Sequence, residues 1–240
     1  MSQDGSVVVG AADGMGLAVS ERLARSHPGR LVLADVQGDK VAAVAERLRG
    51  SGTDCVAVPM DLTDPDSIAA LAEVAGVPTR VALVAGVHAR HPALDMTEDL
   101  FFDVLRVNLV GVYLAAQTFA KRMIDAGEKG SIVAVTSVSG RRPQPDMAAY
   151  VASKAAVTAA LRVLGVTVAP HGVRVNTVAP SATRTAMMRS DPEKAGATIP
   201  LRRVNEPGDI ADVILFLLSE QSQMITMREI PVDGGSLLGL

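Results

Sequence analysis

Only two tyrosines occur in the 240 residues, and one of them, Tyr150, is followed four positions later by Lys154. On a helix that spacing puts both side chains on one face. An ammonium beside a phenol favours the phenolate and draws its pKa down from the usual value of about 10 toward a working pH. A tyrosine tuned in this way can take a proton from an alcohol or return one to a ketone. Ser137 lies upstream at the end of an apolar run, where its hydroxyl can hold a substrate oxygen. A serine at such a place commonly serves only the turn, and partnership with the tyrosine is what gives it chemical meaning. Asn108 interrupts a helical pattern in which asparagine is locally unfavourable, a mismatch that suggests a polar role in the same site.

A second group of residues fits an anion. Gly10-Ala11-Ala12-Asp13-Gly14-Met15-Gly16 follows a Val-rich run and opens a helical pattern. Glycines there let the backbone turn tightly and approach a pyrophosphate, while the free N–H groups of the helix start face it. The spacing is Gly-x-x-x-Gly-x-Gly rather than the common Gly-x-Gly-x-x-Gly fingerprint. Asp35 closes the second apolar run, where a carboxylate can accept both adenosine ribose hydroxyls and repel a 2′-phosphate, so NAD is expected over NADP. Asp13 adds negative charge nearby. Asp61 and Leu62 close the third run, where a carboxylate can bond the adenine amino group.

The elements that must position these residues alternate. Short apolar runs at Ser6–Gly10, Leu31–Asp35, Cys55–Met60, Val81–Ala85, Ser131–Thr136, Arg174–Ala179 and Glu229–Val232 suit strands buried on both faces. Helical patterns separate them at Gly14–Ser26, Lys40–Arg49, Pro65–Ala75, Leu100–Ala126, Ala148–Ala169 and Pro207–Leu218. Strand then helix, repeated, predicts right-handed βαβ units. The expected fold is α/β, with residues 1–240 forming a single doubly wound Rossmann-type, NAD-binding catalytic domain around a seven-stranded parallel sheet. Pro180–Pro200 has no clean period and follows the sixth strand, so residues 181–199 are expected to form a substrate lid.

Composition removes other classes. Net charge is −3 with both signs dispersed, so no nucleic-acid partner is expected. The lone Cys55 excludes an internal disulfide framework and a multi-cysteine metal site. His88 and His91 are three apart with no accompanying carboxylate pattern, and a loop pair is preferred to a metal site. The start, Met1-Ser-Gln-Asp-Gly, lacks a basic segment followed by an apolar run, and no apolar run is judged to approach a membrane span. A cytoplasmic protein with no membrane partner is expected.

Together the glycine turn, Asp61, Ala85-Gly86, Asn108, Ser137, Tyr150-Val-Ala-Ser-Lys154, Pro180 and Val232-Asp-Gly-Gly235 resemble the short-chain dehydrogenase/reductase family over essentially the whole chain. The resemblance implies Tyr150 as acid/base, Lys154 as ribose ligand and pKa modulator, Ser137 as substrate-oxygen donor and Asn108 as holder of a relay water. It implies that Thr183 and Thr185 touch the nicotinamide amide and the phosphates. The chain departs from the family pattern at Val9 in place of threonine, at Leu83-Val84 in place of two asparagines, and at Ser181 in place of glycine.

The stretches Ile199-Pro-Leu-Arg-Arg, Glu206-Pro-Gly-Asp-Ile-Ala and Ile225-Thr-Met-Arg-Glu-Ile, with the ending after Val232, are similar to the 2,3-dihydro-2,3-dihydroxybenzoate dehydrogenase branch. That likeness implies NAD-dependent oxidation of a ring alcohol in a small cyclohexadiene carboxylic acid, or in its amino analogue, for siderophore or antibiotic biosynthesis. An acidic substrate would want an arginine. Arg90 and the pair Arg141-Arg142 are the candidates, with Met187 and Met188 as an adaptable apolar wall. The family resemblance also implies a homotetramer, pairing helices 100–126 and 148–169 through the Ala-rich faces Ala115-Ala116 and Ala155-Ala156-Ala159-Ala160, with the apolar Leu237-Leu238-Gly-Leu240 covered. Rival readings are an NADPH-dependent ketoreductase, a sugar-alcohol or steroid dehydrogenase, and a nucleotide sensor without chemistry. Asp35 argues against the first and the intact Ser137, Tyr150 and Lys154 against the last.

Overall fold

The computed structural model describes residues 4–27, 29–142, 144–188 and 190–238. Seven strands form one sheet in the order β3-β2-β1-β4-β5-β6-β7, and every neighbouring pair is parallel. The strands are β1 Ser6–Val9, β2 Leu31–Asp35, β3 Cys55–Pro59, β4 Arg80–Leu83, β5 Gly130–Val135, β6 Val173–Pro180 and β7 Glu229–Val232. Each predicted strand is present, with ends moved by no more than two residues.

Burial on both faces explains the unbroken apolar runs. Along β1, Val7 and Val9 face one core layer with Ile68, Leu71, Phe119 and Leu161. Val8 faces the other, with Val19, Leu23, Val41, Ile210 and Ile214. The period of two in a strand sends successive side chains to opposite layers. The first layer is closed by α3 (Pro65–Ala75), α5 (Val112–Asp125) and α6 (Ala148–Val168), the second by α1 (Gly14–Ser26), α2 (Gly38–Gly50) and α8 (Pro207–Leu218). Local chemistry fixes several helix starts. Asp64 caps α3 ahead of Pro65, and Glu206 and Asp209 form a reciprocal capping box around Pro207 in α8.

Strand order reverses between β1 and β4, opening a crevice at their carboxyl ends, the usual ligand position in open α/β sheets. The Gly10 loop and Ala85-Gly86 flank that crevice.

Four sequence expectations require correction. The pattern Leu100–Ala126 is not one α-helix: α4 (Glu98–Leu105) and α5 are joined by a π-helical turn, Arg106–Gly111. The lid segment is not wholly irregular, because Asp191 caps a short helix α7, Pro192–Ala197. Ala115 and Ala116 are fully buried in the core, so they cannot form an intersubunit face. Finally, one helical stretch, Ala148–His171, does have the length and apolar composition to cross a membrane, with mean hydropathy 1.5. It lies against the sheet, with Val157, Leu161, Leu164 and Val168 in the core. The C-terminal Gly239 and Leu240, the N-terminal Met1, Ser2 and Gln3, and Arg189 of the lid lie outside the described residues.

Candidate active site

Ser137 lies two residues past the end of β5, and Tyr150 and Lys154 lie in the first two turns of α6. Ser137 is in extended backbone, and its Oγ accepts from the Ser139 N–H at 3.1 Å, starting a 3-10 turn over Val138–Gly140. The same hydroxyl is hydrogen-bonded to the Tyr150 phenol. Lys154 is almost completely buried, and its Nζ donates to the Val135 carbonyl at 3.1 Å, tying α6 to the last residue of β5. Its Nζ lies 5.8 Å from the centre of the Tyr150 ring. Three side chains from two elements thus converge at the carboxyl end of β5.

Electrostatics differ from the sequence expectation. Burial pushes the Tyr150 phenol up from its usual value, opposed only by the Ser137 hydrogen bond. Burial also brings Lys154 down to about 8. The chain therefore holds the phenol protonated and makes the ammonium easier to deprotonate, because both charged forms lose water here. The expected lowering of Tyr150 by Lys154 is not produced by this arrangement of the chain alone.

Asn108 is fully buried on the π-helical turn. Its Oδ1 accepts from the Val87 N–H at 2.8 Å, and its Nδ2 donates to the Val87 carbonyl at 2.9 Å and to Ser153 Oγ at 3.2 Å. Ser153 Oγ in turn donates to the Tyr150 carbonyl at 2.7 Å. The asparagine bridges the loop after β4 to the catalytic helix, and the extra residue of the π turn is what re-aims it inward. Gly86 completes this corner: a Cβ there would lie 3.1 Å from both Asn108 Oδ1 and Lys154 Nζ.

The glycine turn is tight and closely packed. Gly10 has φ +86°, and a Cβ on it would lie 2.5 Å from the Ala85 nitrogen. A Cβ on Gly16 would lie 1.8 Å from the Gly10 carbonyl oxygen, so helix and turn touch through bare backbone. Asp13 caps α1, its carboxylate accepting from the Gly14 N–H. Asp35 accepts from the Ala12 N–H at 3.0 Å and the Gln37 N–H at 2.9 Å, one on each oxygen, which leaves each oxygen a further lone pair for a hydroxyl. Asp61 accepts from the N–H and hydroxyl of Thr63 and remains exposed, while Leu62 is buried against Gly111. Across the crevice, Thr183 Oγ1 donates to the Ser181 carbonyl and Thr185 packs over Gly14.

Between these two ends lies a cleft of about 400 Å³ whose wall includes Met15, Gly86, Ser137, Tyr150, Lys154 and Pro180. Arg90, Met187 and Met188 also line it. Arg141 does not; Arg142 does. The physical reason is that Arg141 is ion-paired with Glu229, whose side chain is 3% exposed. His88, read from the sequence only as half of a loop pair, lines the cleft too, as does Gln144, which the sequence did not single out. The His88 ring sits 4.9 Å from the Tyr150 ring, tilted by 58°. The loops on either side are tied by the His91 N–H donating to the Asp146 carbonyl at 2.7 Å, with Asp146 itself at φ +59°. Among the described residues no group of three or more His, Cys, Asp or Glu could hold a metal ion.

A family model described as enoyl-(acyl carrier protein) reductase matches residues 10–236. The chain is 34% identical to the 2,3-dihydro-2,3-dihydroxybenzoate dehydrogenase of Bacillus subtilis, covering 97% of this chain and 95% of that one. It is 31% identical to the L-rhamnose 1-dehydrogenase (NAD(P)(+)) of Azotobacter vinelandii, covering 98% and 96%. A crystal structure of a short-chain type dehydrogenase/reductase from Mycobacterium marinum superposes with a TM-score of 0.90 at 30% identity, covering 98% and 96%. The chain belongs to the short-chain dehydrogenase/reductase family. As a member of that family it is an oxidoreductase that uses a nicotinamide cofactor. The residues present fit such a group: a glycine cradle that any Cβ would fill, an inward carboxylate at Asp35 with spare lone pairs, and a buried ammonium at Lys154 with donor capacity left after Val135.

Proposed function

We propose that this short-chain dehydrogenase/reductase oxidises a ring secondary alcohol of a small cyclohexadiene carboxylic acid, of the 2,3-dihydro-2,3-dihydroxybenzoate or 2,3-dihydro-3-hydroxyanthranilate type, with NAD. The observation that carries the reading is the cleft wall. Arg90 and Arg142 line the pocket onto which Ser137 and Tyr150 open, and among the described residues neither guanidinium is paired with a carboxylate. Guanidinium groups at the mouth of a partly apolar cleft suit a small anion, and Met147, Met187 and Met188 give a ring an adaptable surface. The similarity to the Bacillus subtilis enzyme supports the same substrate class. An acid of this kind serves siderophore or antibiotic biosynthesis, and the enzyme is assigned to that setting and to the cytoplasm.

Asp35 supports NAD over NADP, because its carboxylate, at the end of β2 and bonded to Ala12 of the glycine turn, would repel a 2′-phosphate. When bound, NAD supplies the hydride acceptor. Gly10, Gly14, Met15 and Gly16 would cradle its pyrophosphate, and Lys154 its nicotinamide ribose. Ser137 Oγ orients the substrate hydroxyl, and the phenolate oxygen of Tyr150 takes the hydroxyl proton. Lys154, brought down to about 8 by burial, can stabilise that phenolate while it is charged, and its neutral form can accept a proton. Arg90 or Arg142 holds the carboxylate. Segment 181–199 closes over the ring and excludes water. The ketone product would enolise to an aromatic ring, which makes oxidation the favoured direction.

A panel assay tests this reading by following NADH absorbance with 2,3-dihydro-2,3-dihydroxybenzoate, its amino analogue, L-rhamnose and the neutral 3,5-cyclohexadiene-1,2-diol. The expected result is highest kcat/KM with one of the two acids, and with NAD rather than NADP. Better turnover of L-rhamnose, the substrate of the Azotobacter vinelandii relative, would replace the acid by a sugar.

A further inference from the structure

Glu229 opens β7, paired with Thr177 of β6, and nothing in the chemistry above uses it. Its carboxylate is nearly inaccessible to water, and three segments converge on it. Oε1 lies 3.0 Å from Thr136 Oγ1 and 2.9 Å from Thr158 Oγ1, while Oε2 is ion-paired with Arg141. Each partner adjoins a functional residue. Thr136 sits between Ser137 and Val135, the residue whose carbonyl receives Lys154 Nζ. Thr158 is one helical turn beyond Lys154, and Arg141 directly precedes Arg142.

Each threonine hydroxyl has one proton and two acceptors in reach: Val178 O or Glu229 for Thr136, and Lys154 O or Glu229 for Thr158. An ionised carboxylate is the stronger acceptor. The carboxylate therefore pulls β5 and α6 toward one point. Arg141 supplies the counter-charge that makes its burial tolerable, and this anchors the loop that carries Arg142. A lone acidic residue in an otherwise apolar edge strand is costly without such a task.

We propose that Glu229 is a positioning residue: through Thr136 and Thr158 it sets Ser137 against Tyr150 and Lys154, and through Arg141 it aims Arg142 into the substrate cleft. The two legs are separable. Glu229→Gln keeps an oxygen for the threonines but turns a donor toward Arg141, so only the Arg141 leg is broken. Glu229→Leu breaks both. The Arg142 part rests on the acidic-substrate reading, whereas the Ser137–Tyr150–Lys154 part holds for any alcohol.

The test measures kcat and KM for wild type, Glu229→Gln, Glu229→Leu, Arg141→Met and the Glu229→Gln/Arg141→Met double variant. Substrates are 2,3-dihydro-2,3-dihydroxybenzoate and the neutral 3,5-cyclohexadiene-1,2-diol. Amide hydrogen exchange over 136–142 and 148–158 is recorded on the same proteins. Glu229→Leu is expected to lower kcat roughly tenfold or more on both substrates, and Gln to restore most of it. Gln and Arg141→Met should each raise KM for the acid about fivefold, non-additively in the double variant, and leave KM for the neutral diol unchanged. Exchange over both segments should quicken at least about tenfold in the leucine variant while the rest of the sheet keeps its protection. Unchanged local exchange, or a lowered Tm with kcat and KM per folded molecule unaltered in every variant, overturns the proposal. If wild type ignores the acid, the acidic-substrate reading fails, and the neutral diol and the exchange data still decide the positioning of Ser137, Tyr150 and Lys154.

Discussion

Lys154 stands at about 8 in the folded chain against 10.5 for a free lysine, because burial strips water from its ammonium. Between those two values the unfolded chain binds more protons than the folded one, so Lys154 makes stability rise with pH across that window. Below pH 8 the whole penalty is present, on the order of 3 kcal/mol. Lys154→Met is therefore expected to stabilise the cofactor-free protein at pH 7 by about 2 kcal/mol, once about 1 kcal/mol for the lost Val135 bond is subtracted. Urea denaturation at pH 7 and pH 10 checks this: the gain should shrink at the higher pH, and a gain independent of pH would mean that burial of charge is not its cause. Tyr150 is displaced the other way. Oxidation needs its phenolate, so kcat/KM for the alcohol should climb as pH rises through the neutral range. Tyr150→Phe removes the proton acceptor and should cut turnover by roughly 10²–10⁴-fold. NADH binding followed by fluorescence should stay intact, since the phenol carries none of the glycine cradle.

At the scale of elements, the site depends on two places where regular structure is broken. The π turn at Arg106–Gly111 rotates Asn108 inward onto Val87, and the bare glycines let α1 approach the β1 turn. Gly16→Ala would drive a methyl into the Gly10 carbonyl, so the turn must open. Cofactor affinity is expected to fall at least about tenfold by NADH titration, while the melting temperature falls by only a few degrees, since the shift is local. These two breaks differ in how far the sequence reveals them. The glycine turn, Ser137, Tyr150 and Lys154 are legible because residue type and local spacing specify the chemistry. Strands such as Leu31–Asp35 are legible because burial on both faces demands an unbroken apolar run. A π turn inserts its extra residue without altering the apolar period enough to notice, so Leu100–Ala126 reads as one helix and Asn108 as a mere misfit. Arg141 and Arg142 are indistinguishable in sequence, because what separates them is Glu229, 88 positions further along the chain. Glu229 itself escapes local reading because its threonine partners are 93 and 71 residues away.

For the whole molecule, the decisive feature is apolar surface left uncovered by one chain. On α6 the outward row is Ala155, Ala159, Val163 and Val166, with the two valines 66% and 63% exposed. Phe102 and Val110 form a second exposed row on α4 and the π turn, which packs against α6. Elsewhere, β7 is an edge strand paired only with β6 among the described residues, and Phe216 of α8 and Met224 are exposed beside it. An open strand edge beside exposed apolar side chains is a liability in a monomer. We propose that two-fold contacts cover both regions and build a homotetramer, with the small Ala155 and Ala159 allowing close approach of α6 to its symmetry mate. The two faces are distinct, so they can be broken separately. Val163→Glu places a charge in the α6 face and is expected to yield dimers held through α8 and β7. Adding Phe216→Asp should yield monomers. Light scattering at micromolar concentration reads both, with wild type expected at four chains. A monomeric wild type refutes the assembly. A tetramer that survives Val163→Glu refutes the α6 face alone. Because α6 carries Tyr150 and Lys154 on its inner side, the same Val163→Glu dimer should also show a lower melting temperature with kcat nearly unchanged, as its inner face remains packed by Val157, Leu161 and Leu164.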